Sequence, residues 1–221
     1  MGSDFLTTNQ RRILESAGTA KDIVETFYFT GGTALSGIYF HHRTSEDLDF
    51  FSETPYREAL VHAWVRQLKT SVGVVHIEEQ VLRGQHIFFV ECADHNVVKV
   101  DFAYFPFSPV GPFTAWMGLR VSSVEDIAVN KIQALLTRTR ARDYVDLYVC
   151  LTHTALTLDT LLASYRLKFD VHIQEEQLLT CLTNVSSAVD MPRFLGNTSW
   201  KTVELFFLRL AKQRGKMLFG P

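Results

Sequence analysis

Two short stretches decide the fold of this chain: FTGGT at residues 29–33 and SEDLDFF at residues 45–51. The first joins a β-rich run to two consecutive glycines, and the second alternates acidic with apolar residues. Because successive side chains of a strand point to opposite faces, Asp47 and Asp49 should share one face and Leu48 and Phe50 the other. The sequence therefore predicts a strand with two carboxylates on one side and core residues on the other.

The two carboxylates of this strand would repel each other unless a cation binds them. At a separation of about 5 Å the repulsion is about 3 kcal/mol at an effective dielectric constant of 20. Hard oxygen ligands suit Mg²⁺, which binds through one or two carboxylates together with substrate phosphates. A third acid, Asp101, lies in an apolar strand pattern. Three such aspartates can hold two metal ions for phosphoryl transfer, with Asp101 also able to accept a proton from an attacking hydroxyl.

The glycines before the Asp pair predict a phosphate-binding turn. A strand that ends at Gly31 and Gly32 and turns into a helix near Thr33 leaves backbone N–H groups for phosphate oxygens. The Thr33 hydroxyl can add a hydrogen bond. Two glycines before a helix usually form only a tight turn, and an Asp-x-Asp at a strand end is more often a solvated edge or a calcium ligand. It is the ordered combination that favours a nucleotide site.

A loop rich in proline and glycine, at residues 106–112, separates two unlike halves of the sequence. Before it, β-rich runs alternate with helical ones, and turn residues at 83–84 and 94–96 predict antiparallel hairpins. After it, Ser122-x-x-Glu125 is a capping box, and apolar residues recur at helical spacing. We expect an α+β fold: an α+β lobe with a mixed sheet over residues 1–110, then an all-helical lobe over residues 111–221.

Individual elements of the first lobe are also predicted. The expected helices run from about Thr33 to His42 and from Pro55, whose fixed φ suits a first helical position. The expected strands cover residues 27–29, 47–51, 72–77, 86–91 and 97–104.

Composition limits the class of protein. With 221 residues, 47% of them hydrophobic, and a net charge of −2, the chain can build ordinary cores and gives no global signal for nucleic acid. Cys92, Cys150 and Cys181 are widely spaced, with no C-x-x-C pairing and no histidine at ligand spacing, which argues against a zinc site and a disulfide framework. The first twenty residues lack the apolar run of a signal peptide, and no stretch is long enough to span a bilayer. We expect a cytoplasmic protein that does not enter the membrane.

One charged residue of the helical half, Lys131, lies a helical turn from both Ile127 and Leu135, beside the apolar stripe. An ammonium in that position needs a partner. It either pairs with Asp143 or Asp146 and ties two helices together, or it binds the phosphates of a nucleoside triphosphate. The two interpretations are compatible.

The order of these motifs resembles that of nucleotidyltransferases of the DNA polymerase β type. Within that superfamily the chain resembles the AbiEii/AbiGii toxins over roughly residues 29–148. The matching motifs are GGTAL at residues 31–35, RTSEDLDFF at residues 43–51, a helical lysine and RDYVDLY at residues 142–148. The gap between Gly32 and Asp47 is slightly longer than usual, which predicts an extra helical turn or a longer loop around residues 41–44.

The resemblance implies a bilobed, Mg²⁺-dependent nucleotidyltransferase that moves a nucleotide from an NTP to an acceptor hydroxyl. It further implies the toxin of a type IV toxin-antitoxin or abortive-infection system, a separately encoded antitoxin, and an RNA acceptor such as the 3′ end of a tRNA. The implied ligands of two Mg²⁺ ions are Asp47, Asp49 and Asp101, and Lys131 joins them as a catalytic residue. The implied nucleotide-binding residues are Gly31, Gly32, Thr33, Arg43, Ser45, Lys131 and Asp143.

Two other functions use the same residues. A metal-dependent nuclease or phosphatase could employ the three acids, but a hydrolase has less need of the glycine turn. A non-catalytic, partner-binding relative is the other alternative, and the intact acids argue against it.

The last 25 residues carry an excess of positive charge, which predicts either a solvated helix face or a contact with an RNA backbone. We prefer the RNA interpretation. The basic residues are Lys201, Arg209, Lys212, Arg214 and Lys216, set against the single acid Glu204.

Overall fold

The computed structural model describes residues 5–219, and the side chains of residues 5–218. Residue contacts divide the chain into two compact units. The first takes in the chain up to Tyr39 together with Ser45–Ser123, and the second takes in Phe40–Thr44 together with the chain from Val124 onward. The loop at residues 106–112 thus lies within the stretch assigned to the first unit.

The first unit is built on a mixed sheet. Its strands are β1 (Tyr28–Thr30), β2 (Asp47–Ser52), β3 (Val74–Leu82), β4 (Gln85–Cys92), β5 (Val97–Tyr104), β6 (Thr114–Trp116) and β7 (Leu119–Val121). Their order across the sheet is β3-β4-β5-β2-β1-β7-β6. Strands β3, β4 and β5 form the predicted antiparallel hairpins, whereas β2 pairs with β5 and β1 with β7 in parallel. The expected α+β class with a mixed sheet is confirmed.

The alternation in β2 sets the two faces of this sheet. Leu48 and Phe50 are fully buried, while Asp47 and Asp49 are only partly covered. The Phe50 ring stacks on Phe102 of β5 with centroids 5.2 Å apart. This aromatic layer anchors β2 and β5 side by side and leaves their acidic residues on the opposite face.

The helices of the first unit are α1 (Thr8–Thr19), α2 (Lys21–Thr26), α3 (Gly31–Ala34) and α4 (Glu58–Ser71). A π-helical segment, Leu35–Phe40, continues α3, so the helix predicted from Thr33 is present but changes its hydrogen-bond pattern. Helix α4 begins at Glu58, and the expectation of a start at Pro55 was wrong. The Ser52 side chain hydrogen-bonds to the backbone of Thr54 and holds a turn there, which delays the helix.

The second unit consists of helices and loops. Its helices are α5 (Val124–Thr137), α6 (Ala141–His153), α7 (Leu158–Phe169), α8 (Glu175–Thr183) and α9 (Trp200–Phe219), with a 3₁₀ turn at Asn184–Ser187. Tyr144 is central to its core, since its ring meets that of Phe207 and its hydroxyl donates to the Cys181 carbonyl at 2.7 Å. None of the described helices combines the length and apolar character that crossing a membrane requires.

Two features near the start of α5 were not predicted correctly. Strands β6 and β7 span three residues each, which is too short to show an alternating pattern. Ser122 does not form the expected capping box, since its Oγ has no hydrogen-bond partner among the described residues. Its backbone N–H instead donates to the Phe29 carbonyl of β1, just beyond the end of β7.

Candidate functional site

The parallel pairing of β2 with β5 brings the three predicted aspartates together. Asp49 lies directly opposite Asp101, and Asp47 lies opposite Lys99. Residues paired across neighbouring strands project to the same face of a sheet. Asp47, Asp49 and Asp101 therefore form one acidic group, on the face away from Leu48 and Phe50.

Lys99 belongs to this acidic group, although the sequence analysis did not single it out. Its Nζ lies 2.5 Å from Asp101 Oδ2 and 3.6 Å from Asp47 Oδ2. Burial by itself would lower the pKa of Lys99, but the hydrogen bond to Asp101 and the nearby carboxylate charges raise it overall. The ammonium is thus held charged and offsets part of the negative charge of the three aspartates.

Asp101 retains one unmatched oxygen. Its side chain is buried, and Oδ1 has no hydrogen-bond partner among the described residues, whereas Oδ2 accepts from Lys99. Burial raises the pKa of Asp101 in spite of the favourable charge of Lys99. A buried carboxylate oxygen without a partner is costly, and a metal ion bound through that oxygen would remove the cost. The donor set, three carboxylates on one face, fits a hard divalent cation.

The predicted glycine turn lies against this acidic group. Gly31 adopts a φ of +79°, and a β-carbon built on it would lie 1.9 Å from Asp49 Oδ2. Any side chain at residue 31 would collide with the carboxylate, so glycine is required for the close approach as well as for the backbone conformation. Gly32 follows it in α3 and is buried.

Thr33 and Ser45, both predicted near the phosphates, contact each other. Their hydroxyl oxygens are 2.8 Å apart, and Thr33 Oγ1 also hydrogen-bonds to the backbone carbonyl of Asp47. These contacts fix the segment that enters β2, and with it the position of Asp47. The two hydroxyl groups therefore have a structural role that the sequence did not predict.

The remaining predicted residues, Arg43, Lys131 and Asp143, cluster in the second unit. Lys131 Nζ lies 2.8 Å from Asp143 Oδ1 and 2.7 Å from Asp146 Oδ2. Both carboxylates are fully buried. The ion pair that the sequence offered as one interpretation of Lys131 is confirmed, and it involves both candidate partners.

Arg43 makes a bidentate contact with Asp146 in the same cluster. Its Nε lies 2.6 Å from Asp146 Oδ1, and its Nη2 lies 2.8 Å from Asp146 Oδ2. Asp146 also accepts a hydrogen bond from His42, with Nε2 and Oδ1 2.8 Å apart. Burial alone would raise the pKa of Asp146, but the charges of Arg43 and Lys131 bring it well below its usual value. This carboxylate is thus held ionised.

The cluster carries a net positive charge. Arg138 contributes a third cation, with Nε 2.8 Å from Asp143 Oδ2. The pKa of His42 is lowered, chiefly by burial, which favours the neutral ring. Three cations (Arg43, Lys131, Arg138) against two anions (Asp143, Asp146) leave a charge of +1. The excess comes from Arg138, whose side chain is 45% exposed, while the buried Arg43 and Lys131 balance the two carboxylates.

Comparison with known proteins places these motifs in a family. A family model described as "Nucleotidyl transferase AbiEii toxin, Type IV TA system" matches residues 12–202. The comparison with curated proteins found no matching sequence.

Several solved structures are similar to this chain. JHP933 from Helicobacter pylori has a TM-score of 0.61 at 19% identity, covering 95% of this chain and 90% of that chain. A second H. pylori structure has a TM-score of 0.62 at 18% identity, with 95% and 93% covered. MenT4, a nucleotidyltransferase toxin from Mycobacterium tuberculosis H37Rv, has a TM-score of 0.47 at 15% identity, with 96% and 90% covered. The likeness to the two H. pylori structures concerns the fold alone.

Proposed function

Because the chain belongs to the AbiEii nucleotidyltransferase toxin family, we propose that it moves a nucleotide from an NTP to an acceptor hydroxyl in a Mg²⁺-dependent reaction. Membership of this family makes the chain a nucleotidyltransferase; the metal, the acceptor and the residue roles are our proposals. The observation that carries them is the acidic group on β2 and β5, in which Asp101 keeps a buried, unmatched oxygen.

We assign the metal ligands to Asp47, Asp49 and Asp101. When bound, Mg²⁺ would neutralise phosphate oxygens and favour ionisation of the attacking hydroxyl. Asp101 is also the proposed proton acceptor for that hydroxyl, because its carboxylate lies on the same face of the sheet as Asp47 and Asp49. Before a metal binds, the Lys99 ammonium reduces the mutual repulsion of the carboxylates in the acidic group.

We assign phosphate binding to two sets of residues, one in each unit. Gly31 and Gly32 offer backbone N–H groups to phosphate oxygens, and Thr33 and Ser45 offer hydroxyls close to them. Lys131 and Arg43 supply positive charge, with Asp143 holding Lys131 in place. The net charge of the cluster supports this role, because its cations outnumber the carboxylates that they bind.

We propose RNA as the acceptor, with the 3′ end of a tRNA as the first candidate, and a type IV toxin-antitoxin system as the setting. The family description supports an antitoxin partner. The basic surface that would contact RNA is narrower than the sequence alone implied, because Arg214 is tied to Asp159 and Glu175. The exposed cations of α9 that carry the proposal are Lys201, Arg209, Lys212 and Lys216.

A single incubation distinguishes this function from its alternatives. Purified protein is mixed with Mg²⁺, each labelled NTP in turn and total RNA, and the products are resolved on a denaturing gel. Label transfer to RNA supports the proposal, strand cleavage indicates a nuclease, and neither outcome indicates a non-catalytic relative. The Asp49→Asn protein, tested in parallel, should give no transfer.

A further inference from the structure

A second group of metal-ligating side chains lies on the other face of the sheet. It consists of His62 on α4, Glu79 on β3 and His86 on β4. His62 Nε2 and His86 Nδ1 each lie 2.8 Å from the same atom, Glu79 Oε1. The three candidate ligand atoms lie within 4.8 Å of one another.

This group is separate from the acidic group. His86 pairs with Phe102 and is buried on the aromatic face of the sheet, whereas Asp101 pairs with Ile87 and projects to the opposite face. The rings confirm the placement, since His86 lies parallel to Phe88 with centroids 6.4 Å apart. A cation bound to one group would thus not be shared with the other.

The surroundings of His86 resemble those of a metal-ligating histidine. Its Nδ1 faces Glu79, while its other nitrogen, Nε2, lies 3.5 Å from Glu58 Oε1. Histidines that bind metals usually direct the second ring nitrogen at a carboxylate or carbonyl, which fixes the orientation of the ring. Glu58 stands in that position. His62 and Glu79 each keep 32% of their side chain exposed, so an ion can enter from solvent.

Two of the three ligand separations are close to those around a small tetrahedral ion. Zinc bonds of about 2.0 to 2.1 Å place neighbouring ligand atoms about 3.3 Å apart. The two nitrogen–oxygen separations of 2.8 Å therefore need to widen by only about half an ångström. Glu79 lies on β3, the edge strand of the sheet, and its partly exposed side chain can move by that amount.

We propose that His62, Glu79 and His86 form a binding site for a zinc-class divalent transition metal, with Glu58 orienting the His86 ring. Two imidazoles select for such a metal, whereas the all-carboxylate group suits Mg²⁺. The sequence argued against zinc because the cysteines are far apart and no histidine lies at ligand spacing from them; this site uses no cysteine, and its two histidines are 24 residues apart in the chain. The bound ion would tie the edge strand β3 to α4 and β4, and the proposal does not depend on the transferase function.

The test is a metal titration of the full-length protein, freed of any polyhistidine tag and stripped with a chelator. Zn²⁺ is titrated by calorimetry in excess Mg²⁺, which occupies hard oxygen sites. We expect one Zn²⁺ per chain, and a visible tetrahedral absorption band when Co²⁺ replaces it. A wild-type chain with no such band and no stoichiometric binding would overturn the proposal, whatever the variants do.

Variants locate the ion. His62→Ala and Glu79→Gln should each weaken Zn²⁺ binding at least about 100-fold, given that even outer-shell changes cost 10- to 100-fold. His95→Ala is the matched control, because the exposed His95 side chain pairs with Glu91 at 2.9 Å, outside the proposed site. The Zn²⁺ affinity of this variant should equal that of the wild type. Asp49→Asn should also retain Zn²⁺. If Asp49→Asn removes the bound ion while His62→Ala keeps it, the ion belongs to the aspartates and the proposal fails.

Discussion

Gly31 and Asp49 are so close that a β-carbon on residue 31 would lie 1.9 Å from the Asp49 carboxylate oxygen. The approach joins the predicted glycine turn to the acidic group through direct contact. A substitution at residue 31 therefore probes the candidate active site without removing any functional side chain.

We expect Gly31→Ala to abolish nucleotide transfer and to lower the free energy of unfolding by about 2 to 4 kcal/mol, from positive-φ strain together with the collision. Gly73→Ala is the matched control. Gly73 has the same φ of +79°, but no described heavy atom lies within 4 Å of its would-be β-carbon. Urea unfolding and label-transfer assays of both variants separate the cost of positive-φ strain from the cost of the collision with Asp49. If Gly31→Ala and Gly73→Ala lose equal stability and equal activity, the contact with Asp49 contributes neither.

The aspartates should be individually required. Asp47→Asn, Asp49→Asn and Asp101→Asn are each expected to reduce transfer at least about 100-fold, because each removes a charge that holds the metal. Circular dichroism should show a folded protein in every case. A folded Asp49→Asn protein with full activity would refute the metal assignment.

Lys99→Met tests the ammonium inside the acidic group. Without a metal, Asp47 and Asp101 lose their cation, and we expect the free energy of unfolding to fall by roughly 1 to 3 kcal/mol in a chelator. Adding Mg²⁺ should restore most of the loss, because the metal takes over the neutralising role. Lys21→Met, at an exposed pair 3.8 Å from Glu25, should change stability by less than about 1 kcal/mol in either condition. An unchanged Lys99→Met protein would mean that the pair contributes nothing.

Lys131→Ala should weaken both the fold and NTP binding. Removing the cation leaves two fully buried carboxylates short of a partner, which typically costs about 3 to 5 kcal/mol. NTP affinity is measured by calorimetry well below the melting temperature, so that only folded protein is compared. Arg138→Ala, which removes a half-exposed cation from the same cluster, is the comparison. Unchanged NTP affinity in Lys131→Ala would leave Lys131 a structural role only.

The RNA proposal predicts a salt effect. Lys212→Glu combined with Lys216→Glu should lower RNA affinity and reduce the slope of log affinity against log salt by about 0.7 per lost phosphate contact. NTP binding should not change. Arg214→Glu is unsuitable for this test, because it would bring a carboxylate up to Asp159 and Glu175 and disturb the fold. Equal modification of RNA by the Lys212/Lys216 variant across the salt series would exclude this surface.

The sequence predicted what regular alternation encodes. The period of two in β2 separates Asp47 and Asp49 from Leu48 and Phe50, and the structure has that arrangement. Lys99 could have been found by the same rule, since it stands two residues before Asp101 and must share its face. A lysine beside metal-binding carboxylates does not fit a metal-ligand pattern, so the pattern alone does not indicate it.

Other features depend on contacts between distant residues, which no local pattern encodes. His62, Glu79 and His86 come from three elements with no motif spacing, and only the packing of α4 on the β3–β4 hairpin brings them together. Ser122 matched a capping pattern, but in the structure its backbone N–H donates to the Phe29 carbonyl of β1. In both cases tertiary structure, rather than local preference, decided the outcome.

The segment Phe40–Thr44 belongs to the second unit although residues on both sides of it belong to the first. Arg43 consequently pairs with Asp146, a carboxylate 103 residues later in the chain. A chain that stops before α6 lacks Asp146, the carboxylate that Arg43 contacts in the folded protein. A fragment that ends at Ser123 would lack this partner altogether, so no single cut of the gene yields both units with their ion pairs complete.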